Sequence, residues 1–133
     1  MSIYCNGSGV SGRAGLMGKF GTTSFFPSKN LGCFGDGGAL LTMDRDLYLT
    51  AKSIANHGAQ IRYKHDRVGL NSRLDAIQAA ILRVKLPHLE KFNLSRQKAA
   101  TLYDELLKDV EGIEIPERDA NSTHVFHQYT IKI

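Results

Sequence analysis

Lys29 is the residue whose setting points most directly to chemistry. It lies in Ser24-Phe-Phe-Pro-Ser-Lys29-Asn-Leu-Gly-Cys-Phe-Gly-Asp-Gly-Gly-Ala-Leu, between two strand candidates and just after a proline that stiffens the approach. Apolar surroundings disfavour an ammonium, and a neutral amine can attack a carbonyl carbon. Taken alone, a lysine in a loop is ordinarily a surface lysine. A second group of interest is basic: Arg62, Lys64, His65 and Arg67 fall within six positions, with Tyr63 among them. Such a group is either a solvated loop or a surface for an anionic ligand or partner. Gly7-Ser-Gly9-Val-Ser-Gly12 spells a literal G-x-G-x-x-G, but that fingerprint needs a strand before it and a helix after it. The next residues, Arg13-Ala-Gly-Leu-Met-Gly-Lys, are not helical, so the motif reads as a flexible loop. Gly35-Asp36-Gly-Gly reads as a turn. His57 reads as part of a helix end, His124 and His127 as packing or surface residues rather than metal ligands, and Cys33 as a small buried hydrophobe.

The elements that must hold these residues can be traced from periodicity. Residues 1–23 contain six glycines and show neither a period of 2 nor one of 3.6, so they read as loop. Ser24-Phe-Phe and Ala39-Leu-Leu-Thr-Met are short strand candidates flanking Lys29. Asp44 is a good N-cap for a helix over 45–57, with Gly58 as its stop. Residues 59–71 read as a polar, basic loop. Ser72, with Asp75 three positions on, predicts a capping box opening a second helix. Its apolar positions are Leu74, Ile77, Ile81, Val84 and Leu86, and Pro87 should kink or split it. Helical spacing resumes at Leu89 and ends before Gly112. Ile113-Glu-Ile-Pro is a short strand or connector, and the alternation from His124 to Ile133 reads as a strand.

Composition narrows the class. The 133 residues are 42% hydrophobic and 23% charged, as in a globular domain, with a net charge of +4. That is mildly basic and falls short of a nucleic-acid-binding surface. No apolar run approaches the ~18 residues of a membrane span. Two cysteines with no zinc spacing predict neither a disulfide framework nor a metal site. The opening residues lack the pattern of a signal peptide, so a cytoplasmic location is expected, and the sequons at Asn93 and Asn121 read as chance.

The Lys29 segment resembles the lysine segment of the DegT/DnrJ/EryC1/StrS aminotransferases. The likeness continues through Asn56-His-Gly58 and Gly69-Leu-Asn71-Ser-Arg-Leu-Asp-Ala-Ile-Gln-Ala-Ala-Ile-Leu-Arg-Val-Lys-Leu, and then through His127-Gln-Tyr-Thr-Ile, over roughly residues 12–133. The resemblance implies an α/β fold. It would be part of the fold type I large domain of aspartate aminotransferase, over residues 1–94 with a connecting helix, and then the start of a small C-terminal domain over 95–133. It further implies pyridoxal 5'-phosphate as cofactor, with Lys29 as the catalytic lysine at the Schiff-base position. Ser24 would contact the cofactor phosphate, and Asn71 would reach the phosphate of the partner subunit's cofactor in a homodimer. Arg62, Tyr63 and His65 are the candidate contacts to an anionic nucleotide-sugar.

The implied reaction is transfer of an amino group, usually from glutamate, to a keto group of a nucleotide-linked sugar. Dehydratase relatives carry His at the lysine position, so Lys29 favours aminotransfer. One departure stands out. The family has an Asp that pairs with the pyridine nitrogen and a nearby Gln, both upstream of the Lys29 segment, and this sequence has no Asp or Glu before Asp36. The sequence therefore reads as a truncated piece with negligible activity of its own. The alternative is a catalytically silent fragment that folds by dimerisation or partner binding. No motif in the sequence encodes which sugar, or which of its carbons, would be aminated.

Overall fold

The computed structural model describes residues 3–5 and 11–133. Positions 7–10 of the glycine motif lie outside the described residues. Within the described residues there are three small antiparallel sheets and three α-helices. Strands β1 (Ile3–Cys5), β2 (Ser11–Arg13) and β7 (Ser122–Thr123) form one sheet in the order β2-β1-β7. Strands β3 (Gly21–Ser24) and β4 (Gly38–Leu41) pair from Gly21 opposite Leu41 to Ser24 opposite Gly38. The third sheet is the hairpin β5 (Ala59–Ile61) and β6 (Lys64–His65). The helices are α1 (Arg45–Ile54), α2 (Ala76–Lys85) and α3 (Leu89–Leu107). The glycine-rich opening is therefore not all loop, because β1, β2 and the start of β3 fall within it. Short strands with so many glycines show no period of 2 in their residues.

The expected N-cap of α1 is present. The Asp44 carboxylate accepts from the amides of Asp46 at 2.8 Å and Leu47 at 3.0 Å. The helix ends at Ile54, short of the expected 57, because its last carbonyls are claimed from elsewhere. Ile54 accepts from the Leu70 amide at 2.7 Å, and Ala55 from the Ser72 amide at 2.9 Å. His57 then turns left-handed at φ 59°, with Gly58 after it at φ 75°. The same contacts remove the predicted capping box. Ser72 is held against α1, α2 starts only after Asp75, and the Asp75 side chain makes no cap bond. Residues 59–71, read as loop, contain the β5–β6 hairpin, with Tyr63 left-handed at φ 66° in its turn. Pro87 does split the helix: a 3₁₀ turn, Leu86–His88, separates α2 from α3.

The strand expected over 124–133 does not form. Its ladder pairing is limited to an isolated bridge, Glu114 opposite Lys132, among the described residues. Carbonyls at the start of the segment are occupied by side chains. Gln97 donates to His124, Asn30 to Val125, and Arg96 to both Phe126 and His127. Phe126 is left-handed at φ 45°, which breaks any alternation.

The buried apolar residues are few: Cys33, Ala59, Leu82, Ala100 and Phe126 among those described. Backbone approach matters more than core volume at several points, and Gly58 combines it with a left-handed backbone. A Cβ there would sit 1.7 Å from the Arg67 carbonyl oxygen, on a backbone already at φ 75°. Gly112 has a similar φ of 79° but nothing within 4 Å. The two glycines thus separate strain from collision. Gly112→Ala should cost about 1–2 kcal/mol, the left-handed penalty alone. Gly58→Ala should cost clearly more, because the 58–67 approach must open. Urea denaturation of the two variants measures the difference, and equal losses would contradict the collision.

Candidate active site around Lys29

The segment carrying Lys29 is a loop closed on itself between β3 and β4. The Phe25 amide donates to the Gly37 carbonyl at 2.7 Å, where the loop meets the β3–β4 ladder. The Phe25 carbonyl accepts twice from Cys33, from its amide at 2.8 Å and from its thiol at 2.9 Å. Cys33 is fully buried, as a small hydrophobe should be. Gly32 passes so near the other arm that a Cβ would lie 2.5 Å from the Pro27 oxygen. The Lys29 amide closes a tight turn onto the Phe26 carbonyl at 2.9 Å.

Helix α2 clamps this loop on one side. The Gln78 side-chain oxygen accepts from the Phe34 amide at 2.7 Å, and the Lys85 ammonium donates to the Gly32 carbonyl at 2.6 Å. Helix α3 holds it at Asn30. The Asn30 amide group donates to the Asn93 side-chain oxygen at 2.8 Å and to the Val125 carbonyl at 2.9 Å. Asn93 is buried, so its polarity is tolerated because Asn30 satisfies it. The Asn30 oxygen itself is buried without a partner among the described residues.

Lys29 is half-buried, and its Nζ lies 3.2 Å from His127 Nε2. The imidazole is held below its ordinary pKa, first by burial and then by the charges of Lys29 and Arg96. Downstream, Tyr129 donates to Asp104 of α3 at 2.7 Å, and Arg118 pairs with the same carboxylate. Burial, and after it that bond to Asp104, pushes the Tyr129 phenol above its usual range.

Ser24 stands at the end of β3. Its Oγ accepts from the Phe26 amide at 3.2 Å, which leaves the hydroxyl proton free to meet an anionic oxygen. Asn71 lies apart, bridged through its backbone to Asn56. Arg62, Tyr63 and His65 sit on the exposed β5–β6 hairpin. Arg62 stacks 4.8 Å from the Tyr63 ring centre, and His65 Nδ1 donates to the His57 carbonyl at 2.9 Å. Neither Asn71 nor the three hairpin residues bond to Lys29 or Ser24 among the described residues. The structure therefore brings Lys29 together with His127 and Asn30 near the end of β3, and leaves Asn71 and the basic hairpin separate. The sequence pattern casts His127 as a packing or surface residue rather than a metal ligand, and the structure adds to that its contact with the Lys29 amine. A histidine near a tyrosine carries no signal of a partner 98 positions away.

The residues present fit an aldehyde cofactor with a phosphate tail: one amine in a rigid loop, and a hydroxyl with a free proton five positions earlier. No group of three or more metal-ligating side chains occurs among the described residues, and no helix there is long and apolar enough to cross a membrane.

Comparison with known proteins gives a consistent family. The model of the DegT/DnrJ/EryC1/StrS aminotransferase family matches residues 4–133. A UDP-N-acetyl-3-dehydro-alpha-D-glucosamine 3-aminotransferase of Acidithiobacillus ferrooxidans is 47% identical over 128 residues, covering 96% of this chain and 33% of that protein. The crystal structure of DesV from S. venezuelae, solved with a ketimine intermediate, superposes with a TM-score of 0.87 at 39% identity, over 98% of this chain and 34% of that one. A Bacillus subtilis structure with bound cofactor PMP superposes at a TM-score of 0.77 and 31% identity, over 86% of this chain and 27% of that one. The chain thus spans about a third of the length of the proteins it matches. The expected α/β architecture of the fold type I transferases is the one found.

The buried Asn30–Asn93 pair yields a stability test. Asn93→Ala removes an acceptor from a buried donor, and should cost about 1–3 kcal/mol in urea denaturation. Ser95→Ala, two positions on and exposed, should stay within about 0.5 kcal/mol of wild type.

Proposed function

The chain belongs to the DegT/DnrJ/EryC1/StrS aminotransferase family, and from that membership we propose that it carries the lysine-bearing part of a pyridoxal-5'-phosphate-dependent aminotransferase of nucleotide-linked keto-sugars, with glutamate as amino donor. The observation that carries this reading is the half-buried Lys29 amine on a loop pinned at both ends and clamped by two helices. Lys29, Ser24 and Asn71 would hold the cofactor. When bound, it supplies a carbonyl carbon that exchanges amines and a ring that takes up electron density. The chain's own residues account for the rest. Ser24 offers its free hydroxyl proton to a phosphate oxygen, and Asn71 offers side-chain amide donors to the same kind of group across a subunit boundary. Lys29 holds and moves a proton at Nζ, and its rigid loop keeps that atom in place. Arg62, Tyr63 and His65 present a cationic, aromatic surface to an anionic substrate. The buried, unpaired Cys33 accords with a reducing cytoplasm. Residues 1–94 and 95–133 serve as large-domain and small-domain portions, with α3 running through the boundary.

A homodimer is part of the proposal. On α2 and the segment before it, the apolar side chains of Val68, Leu70, Ile77 and Val84 are 95%, 68%, 72% and 71% exposed. That is more apolar surface than a solitary chain presents without association.

Two measurements test the proposal. Borohydride reduction in the presence of pyridoxal phosphate, and then peptide mapping, should place the adduct on Lys29 and lose it in Lys29→Arg. A dominant label on another lysine would overturn the cofactor assignment. Sedimentation at micromolar concentration should show a dimer or larger species. A well-folded strict monomer contradicts the association.

A further inference from the structure

We propose that His127 is a positioning residue for Lys29, held in place by Arg96, and that its imidazole takes the amine's hydrogen bond at Nε2 and so fixes where Nζ points. The two nitrogens are 3.2 Å apart, close enough for a direct bond. A lysine ammonium only donates, so Nε2 must be the unprotonated nitrogen, and a neutral imidazole then carries its proton on Nδ1. Nδ1 is buried and has no partner among the described residues. No other bond there competes to set the tautomer, which leaves the Lys29 contact as its determinant.

The backbone under His127 is fixed with similar care. Arg96 donates to the Phe126 and His127 carbonyls, each at 3.2 Å. Gln97 holds the His124 carbonyl at 2.9 Å, and Asp104 takes the Tyr129 hydroxyl at 2.7 Å. Arg96, Gln97 and Asp104 all belong to α3. The same helix also positions the Lys29 loop through Asn93 and Asn30. One rigid element therefore sets both ends of the Lys29–His127 bond. The charged groups facing the imidazole, Lys29 from the loop and Arg96 from α3, are both cationic, and with burial they keep it neutral.

This role rests on Lys29 being the reactive amine, but it is tested on the 133-residue chain without cofactor, so that the two readings fail separately. Long-range ¹H–¹⁵N correlation spectra across a pH titration should show His127 as the Nδ1–H tautomer with a midpoint below the ordinary ~6.5. Lys29→Met should shift the midpoint upward and release the tautomer preference, whereas Lys29→Arg should keep the midpoint low. An Nε2–H tautomer, or a midpoint indifferent to Lys29→Met, overturns the proposal. Competitive acetylation reads the effect from the other side. With its tether removed in His127→Ala, Lys29 should label several-fold faster relative to Lys98. His127→Gln keeps a side-chain acceptor and should stay near wild type. An unchanged Lys29-to-Lys98 ratio in His127→Ala also counts against the assignment. If that variant does not fold, the Lys29→Met titration decides.

Discussion

A lysine amine sits at the end of a flexible four-carbon stem, so its position is only as definite as the backbone beneath it. The closure of residues 25–37 supplies that backbone. Gly32 lies against the Pro27 carbonyl at a distance no side chain would allow, and Cys33 spends both its amide and its thiol on Phe25. The β3–β4 ladder ties the two ends together at Ser24 and Gly38. A loop closed this way has little freedom left to lose, so ordering its tip for chemistry costs little more. Gln78 and Lys85 then dock this finished unit onto α2.

Helix α3 shows how a helix with a modest apolar face can still organise a site. Arg96 and Gln97 lie three and four residues after Asn93, and Asp104 lies seven after Gln97, so all four share one side of the helix. That side is polar, and it meets backbone carbonyls and side chains rather than a core. Hydrogen bonds of this kind contribute little each to net stability, but leaving any of them unmade in a buried place is expensive. The result is geometric definition rather than bulk stability. It suits a segment, 124–129, that has no sheet of its own and must still deliver an imidazole to a set point.

The apolar surface runs the other way. The chain buries few large side chains and exposes several, prominently on α2 and on the segment just before it. Polar clamps therefore define the Lys29 loop, while apolar area stays exposed on α2 and just before it. The clamping side chains and the exposed apolar ones are different residues, so the local shape of the loop does not depend on that apolar surface.

Much is legible from residue patterns alone, because it depends on neighbours in the chain. Asp44 as a cap, the break at Pro87, the stop before Gly112, the strand after Gly35-Asp-Gly-Gly, and the lysine segment with its family resemblance all rest on local chemistry. Three of the departures from pattern share one cause. The end of α1, the lost capping box at Ser72 and the absent strand after His124 are each decided by a partner far along the chain. Leu70 and Ser72 take the carbonyls of α1, and α3 side chains take those of His124, Phe126 and His127. His127 alternates as a strand residue would, and no periodicity tells a packed histidine from one facing an amine. The sequence by itself marked the Lys29 amine, within the segment that carries the family resemblance, and determined what family of folds surrounds it. Only the tertiary structure decided which imidazole faces that amine, because two residues 98 positions apart meet through the helix that binds them both.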